Sequence, residues 1–220
     1  CVLSWWSNVL NESAPASYDT YASAVRNGLQ QADVVTAPTR TMLQWLQYFY
    51  GPLPAPRIVY NGIADSASTE LPEKENRVLA SGRIWDQAKN VQQLTKAARH
   101  LDWPVWLAGD RQHPDGWQME LSGVDYLGAL PATNLKRYYQ RAAIFASPAR
   151  YEPFGLSVLG AAHFGCALVL SDIPTFREIW GGAALFVDPD DPDALAEAIN
   201  RLSRDVNQRE GFARNAMQRA

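Results

Sequence analysis

An α/β protein is expected from this sequence: a parallel sheet with helices on both faces, preceded by part of a second α/β unit. Two observations carry that expectation. Apolar runs recur from residue 77 onward with segments of helical periodicity between them, the alternation of a parallel sheet buried on both sides. The stretch from Ala143 to Asp172 holds one complete repeat of the pattern. It runs from an apolar segment, Ala143–Ala146, through a turn at Ser147–Pro153 and a helical pattern at Gly155–Phe164. Gly165 stops that helix, and a second apolar segment, Ala167–Leu170, comes next.

Taken in order, residues 1–63 read as the end of one α/β domain. Helices are expected over Tyr18–Gln31 and Thr39–Tyr50, the second closed by Gly51-Pro52, and strands over Asp33–Ala37 and Arg57–Tyr60. Two strands are too few to close a sheet, so this segment should lean on the larger unit C-terminal to it. Trp45, Tyr48 and Phe49 recur at helical spacing and read as a core stripe rather than a membrane anchor. Residues 64–76 are small, polar and charged and read as a linker. In 77–190, strands are expected at Arg77–Ser81, Val105–Ala108, Val124–Leu127, Ala143–Ala146, Ala167–Leu170 and Ala184–Val187. Helices are expected between them at Asn90–His100, Asn134–Arg141, Gly155–Phe164 and Thr175–Trp180. Residues 191–220 read as one or two amphipathic helices.

Composition narrows the function classes. A hydrophobic content of 47% with 20% charged residues describes an ordinary globular chain. A net charge of −3 gives no overall attraction to nucleic acid or acidic lipid. Two cysteines, Cys1 and Cys166, form no disulfide framework, so a reducing, cytoplasmic location is expected. No run of 18 apolar residues is present, which leaves peripheral contact as the only membrane role expected. The chain opens on Cys1 without a Met or a leader pattern and reads as a piece of something longer. Neither Gly-x-Gly-x-x-Gly nor Gly-Lys-Ser/Thr occurs, so dinucleotide and P-loop readings are weak.

The candidate chemistry sits at the carboxyl ends of the expected strands, where ligands of such sheets bind. Gly82 and Arg83 end the first strand of the second unit, and Lys89 precedes the next helix. Two cations there read either as solvated charges at a helix start or as the counter-charge for a diphosphate. Glu152 precedes the Gly155 helix. It reads either as complement to the helix dipole or as acceptor for two neighbouring hydroxyls of a sugar. Phe154, Gly155, Leu156 and Ser157 offer backbone N–H groups at the same helix start. Asp188-Pro-Asp190 has the spacing of a metal-binding acid pair, but turn and capping chemistry accounts for it. Thr175-Phe-Arg-Glu178 fits a capping box. His100, His113 and His163 share no metal-ligand spacing, and no metal is expected.

The run Tyr-Glu-Pro-Phe-Gly-Leu-Ser-Val-Leu, Tyr151–Leu159, resembles the signature of the retaining nucleotide-sugar glycosyltransferases with two Rossmann-like domains. This is the GT-B architecture, family 4, glycosyl transferases group 1. Gly28-Leu29, Ala37-Pro38-Thr39 and Tyr60-Asn61-Gly62-Ile63 are similar to the segment before the domain crossover in that family. The resemblance implies a Rossmann-like donor domain at 77–190, the end of an acceptor-side domain at 1–63, and a last helix that crosses back. It implies a nucleoside diphosphate (NDP) sugar as donor substrate, no cofactor, no metal, and an acceptor that is a sugar, lipid or glycan. It assigns the diphosphate to Arg83 and Lys89, the sugar to Glu152, and base contacts to main chain near Leu127–Leu130. Only through this resemblance does a minor donor-binding role for Glu178 stay open.

The family's signature ends in a second Glu that holds the ribose, and this sequence has Gly160 there. Restoring it, Gly160→Glu, is therefore expected to tighten NDP binding. Three functions are compatible with these residues. The first is hexose transfer with retention of configuration, for which residues 1–220 alone read as incomplete and inactive. The second is a catalytically silent NDP-sugar-binding module, and the third an unrelated Rossmann-like epimerase or dehydrogenase.

Overall fold

A computed structural model describes residues 2–63 and 73–220. The first segment contains α1 (Val2–Trp5), a π-helical turn at Trp6–Leu10 and a 3-10 turn at Ala16–Tyr18. It continues through α2 (Asp19–Gln30), β1 (Thr36–Ala37), α3 (Arg40–Tyr50) and β2 (Arg57–Ile58). β1 and β2 pair in parallel over two residues each, so both strands are shorter than expected. Thr39 caps α3, its Oγ1 accepting from Met42 N.

The second segment contains β3 (Glu75–Ser81), α4 (Val91–Ala97), β4 (Val105–Ala108), β5 (Asp125–Gly128), α5 (Ala132–Arg141) and β6 (Ala142–Ser147). It closes with α6 (Leu156–His163), β7 (Ala167–Ser171), α7 (Pro174–Trp180), β8 (Ala184–Val187), α8 (Pro192–Arg204) and α9 (Val206–Arg219). Its six strands are all parallel, in the order β5-β4-β3-β6-β7-β8. The chain runs outward from β3 to β5, then returns to the other side of β3. The crevice between β3 and β6 is therefore the switch point at which doubly wound sheets bind ligands.

Alternation within the central strands builds two cores. Leu79, Phe145, Leu168 and Leu170 face one way, packing with Val158, Phe176, Trp180 and Ala216. Val78, Ala80, Ile144 and Val169 face the other way, packing with Leu94, Leu195, Ile199 and Leu202. A Schellman closure ends α6: Gly165 N donates to Ala162 O and Cys166 N to Ala161 O, with Gly165 at φ +74°.

Several expectations change. The linker expected over 64–76 falls mainly on 64–72, which lie outside the described residues. Glu75 and Asn76 already belong to β3. Lys74 is half-buried, its ammonium donating to Tyr139 O (2.9 Å) and Phe164 O (2.6 Å). β5 starts at Asp125 rather than Val124, the register with β4 pairing Trp106 with Asp125. The Asn90 helix starts one residue late because Asn90 is left-handed (φ +52°), and its end tightens to a 3-10 turn at Ala98–His100. The Trp45, Tyr48, Phe49 stripe is not core: Trp45 and Phe49 stack, Tyr48 meets both edge-on, and Tyr48 is 76% exposed. α9 packs on α6, β7 and α8.

The first segment does lean on the second. Ser4 Oγ and Tyr151 Oη lie 2.6 Å apart, Trp5 Nε1 donates to Asp86 Oδ1 (3.3 Å), and Thr39 Oγ1 donates to Pro153 O (3.2 Å).

Candidate functional site

The turn after β3 is built around Asp86, which is 5% exposed. Its Oδ1 accepts from Ala88 N (2.9 Å), capping the short turn Gln87–Lys89. Its Oδ2 accepts from Arg83 Nη2 at 2.7 Å, and the Arg83 guanidinium lies over the Trp85 ring, 5.6 Å from the centroid. Lys89 N donates to Asp86 O (2.9 Å). The Lys89 methylenes then run across Gly82, 3.6–3.7 Å from where a Cβ at 82 would stand.

The loop after β6 is laid against this turn. Arg150 N donates to Ala88 O at 2.9 Å. Asn90 Nδ2 donates to Pro148 O (3.0 Å) and Pro189 O (2.6 Å), tying the loops after β6 and β8 to the start of α4. These bonds deliver Glu152 to Lys89, whose Nζ donates to Glu152 Oε2, with side-chain exposures of 11% for the acid and 21% for the lysine. Such a half-buried pair at the end of two strands is held in place by main-chain bonds on both sides.

Gly155 comes next at φ +94°, a conformation that favours glycine, and serves as N-cap of α6. A Cβ here would also stand 3.1 Å from the Phe176 ring. No side chain caps this helix start, so its first N–H groups suit an external anion. Leu156, in the first turn, is 65% exposed.

Beside Gly82 a cleft of about 370 Å³ opens at the ends of β3, β4 and β5, lined in part by Ser81, Gly82, Gly109, Leu130, Tyr139 and Ser157. A larger groove of about 940 Å³ lies between α4 and residues 117–122. It holds neither Lys89 nor Glu152, so size does not select it as the site.

Of the residues singled out from sequence, Gly82, Lys89, Glu152, Gly155, Leu156, Ser157 and Leu130 gather around the ends of β3, β5 and β6. Arg83 is next to them but turned to Asp86, with its side chain 64% exposed. The Phe154 side chain is core, 5% exposed. Gly160 faces the Tyr139 ring: a Cβ there would stand 3.1 Å from Cε2. The expected tightening of NDP binding by Gly160→Glu therefore requires the Tyr139 ring to give by a few tenths of an ångström.

The capping box at Thr175–Glu178 does not form, since Ile173 is the N-cap, Pro174 opens α7 and no side chain caps it. Glu178 instead accepts from Arg40 N (2.7 Å), Thr41 N (2.9 Å), Thr41 Oγ1 (2.9 Å) and Tyr60 Oη (3.0 Å). Asp188 accepts from Asp190 N in a turn (2.8 Å), while Asp190 pairs with Arg150 (2.6 Å).

Sequence reasoning missed Asp86, Ser81 and Tyr139. Asp86 was within reach as an acid three residues after Arg83 and just before a turn. Tyr139 gave no local signal, because its partners Ser81 and Gly160 come from other elements.

The model of the family described as Glycosyl transferases group 1 matches residues 63–219. O-antigen chain mannosyltransferase B of Escherichia coli is 34% identical over 125 residues, covering 54% of this chain and 33% of that protein. O-antigen chain mannosyltransferase RfbU of Salmonella typhimurium is 28% identical over 161 residues, covering 67% of this chain and 44% of that protein. The chain thus spans less than half the length of either relative. Among solved structures, sucrose-phosphate synthase from Thermosynechococcus elongatus superposes with a TM-score of 0.76 at 19% identity, over 96% of this chain and 60% of that one. Anabaena HepE in complex with UDP and glucose gives 0.73 at 18% identity, over 91% and 63%. The six-stranded parallel sheet flanked by helices matches glycosyltransferase structures of the GT-B architecture, and the chain belongs to the glycosyl transferases group 1 family.

Proposed function

We propose that this chain carries the donor half of a glycosyltransferase that moves a hexose from an NDP-sugar to an acceptor with retention of configuration and without a metal. The observation that carries this reading is the Lys89–Glu152 pair, held against Gly82 and the uncapped start of α6 at the sheet's switch point. A diphosphate laid there meets the Lys89 ammonium and the α6 N–H groups, and Arg83 stands beside them on its Asp86 support. As the glycosidic bond breaks, the departing phosphate gains charge, and these groups stabilise it. Glu152 offers its carboxylate to two sugar hydroxyls. The departing phosphate in turn accepts the acceptor's proton on the same face of the sugar, so no second carboxylate is required. The catalytic roles fall to Arg83, Lys89 and Glu152. The acceptor is a sugar, lipid or glycan, and the setting cytoplasmic. Among the described residues no helix is long and apolar enough to cross a membrane. Residues 1–63 contribute only a two-stranded sheet among those described, and we propose that residues 1–220 by themselves bind nucleotide without transferring sugar.

Calorimetric titration with UDP, GDP, ADP and NAD tests the reading. One NDP is expected to bind, and Lys89→Ala to weaken it about ten- to a hundredfold, the worth of a charged hydrogen bond. Tight NAD binding with no response to any of the three NDPs would discard it in favour of a dehydrogenase or epimerase.

A further inference from the structure

We propose that Tyr139 and Ser81 form the hydroxyl pair that recognises the ribose of the bound NDP, in a place that glycine at position 160 keeps open for the Tyr139 ring. This rests on the nucleotide-sugar reading above and extends it to residues outside the signature run.

The charged groups divide the site in two. Lys89 and Glu152 stand on the β6 side of Gly82, beside the start of α6. The adjoining cleft of about 370 Å³ is lined by small and apolar residues, among them Ala108, Gly109, Ala129, Leu130 and Leu135, and no charged side chain among the described residues lines it. A diphosphate belongs on the first side, and a weakly polar nucleoside suits the second. A ribose entering such a cleft brings two hydroxyls that need partners, because burying them unpaired is costly. Tyr139 and Ser81, whose hydroxyls meet each other, both line this cleft, with Ser157 at the α6 side.

Tyr139 Oη and Ser81 Oγ lie 2.9 Å apart, so they share one hydrogen between two oxygens. One hydroxyl hydrogen and several lone pairs are left over. Burial holds the Tyr139 phenol pKa up at about 12, so the group stays neutral and keeps its proton throughout the physiological range. It can therefore donate and accept, as a diol also can.

The ring is fixed before any ligand arrives. It lies 5.9 Å from Phe145 and 6.4 Å from Phe164, nearly parallel to the latter at 12°. The Tyr139 carbonyl accepts from the Lys74 ammonium (2.9 Å) and from the Cys166 thiol (3.2 Å). Pre-ordering of this kind lowers the entropic cost of recognition. Gly160 completes the arrangement. A Cβ there would stand 3.1 Å from Tyr139 Cε2 and 3.5 Å from Cζ, so tyrosine at 139 and glycine at 160 are a matched pair across α5 and α6.

The test is a ligand–protein cycle by calorimetry. It uses wild type, Tyr139→Phe and Ser81→Ala, with whichever of UDP, GDP or ADP binds and with its 2′- and 3′-deoxy forms. Phenylalanine keeps the ring packing, so the fold is expected to survive. In wild type at least one deoxy form should bind about three- to tenfold more weakly than the ribonucleotide. In Tyr139→Phe the ribonucleotide should lose the same factor, and the preference over that deoxy form should shrink to within about twofold. Ser81→Ala should do likewise.

A uniform loss across ribo and deoxy ligands, or an unchanged preference in Tyr139→Phe, would make the pair merely structural and overturn the inference. Binding by wild type without any ribose preference would overturn it while leaving the donor-site reading intact. No binding of any NDP would remove both.

Discussion

Glu178 is expected to latch the first segment to the second, and removing its carboxylate should loosen α3 without disturbing the sheet. Glu178→Ala takes the acceptor from Arg40 N, Thr41 N, Thr41 Oγ1 and Tyr60 Oη, all within 2.7–3.0 Å. Two of these donors are the first N–H groups of α3, so the carboxylate acts as a helix-start anion supplied by another element. Anions at such positions contribute up to about 2 kcal/mol, and loss of a capping acceptor costs about 0.5–2 kcal/mol. The hydroxyl contacts raise the sum and partial solvent exposure lowers it, leaving about 2 kcal/mol. That is roughly a 30-fold rise in the opening of the first turn of α3. Hydrogen exchange at Arg40 and Thr41 reads it directly, while amides of β3, β6 and β7 should keep their protection.

Acid should do the same as the mutation. Burial pushes the Glu178 carboxyl up, but the Thr41 and Arg40 N–H groups and the Thr41 and Tyr60 hydroxyls outweigh it, leaving a pKa below 4.5. A carboxyl lowered on folding contributes stability that is present above its unfolded value and lost as pH falls through the folded value. The latch should therefore hold at about pH 5 and open only in stronger acid. Unchanged exchange at Arg40 and Thr41 in Glu178→Ala would refute the latch.

The remaining predictions concern two glycines. Gly109→Ala should be among the most damaging single changes: its φ is +145° and a Cβ would stand 1.7 Å from Gly82 O, a backbone atom at the mouth of the cleft. A loss above about 4 kcal/mol, or failure to accumulate folded protein, is expected in thermal or urea unfolding; near-wild-type stability would show that β3 and β4 do not approach there as described. Gly160→Glu should destabilise by about 1–3 kcal/mol through overpacking against Tyr139 and weaken NDP binding. Tighter binding in calorimetry would instead mean that the ring yields and the carboxylate takes up the ribose.

Features that depend on neighbours along the chain were legible before any coordinates. The alternation of apolar runs and helical patterns specified a parallel sheet covered on both faces. The run Tyr151–Leu159 placed Glu152 before a glycine-started helix, and Arg83 and Lys89 fell after the first long strand. Element ends were less legible, since the start of α4 turns on a left-handed Asn90 and that of β5 on its register with β4. Which groups meet was settled by the packing of distant elements. Lys89 finds Glu152 because loops after β3, β6 and β8 are tied together through Ala88 O and Asn90. Glu178 caps a helix 137 residues away rather than its own. Tyr139 meets Ser81 and Gly160 only because α5 lies over the sheet beside α6. Periodicity comes from backbone geometry and is written locally. Pairings between distant residues depend on how whole elements stack, and no local spacing encodes that.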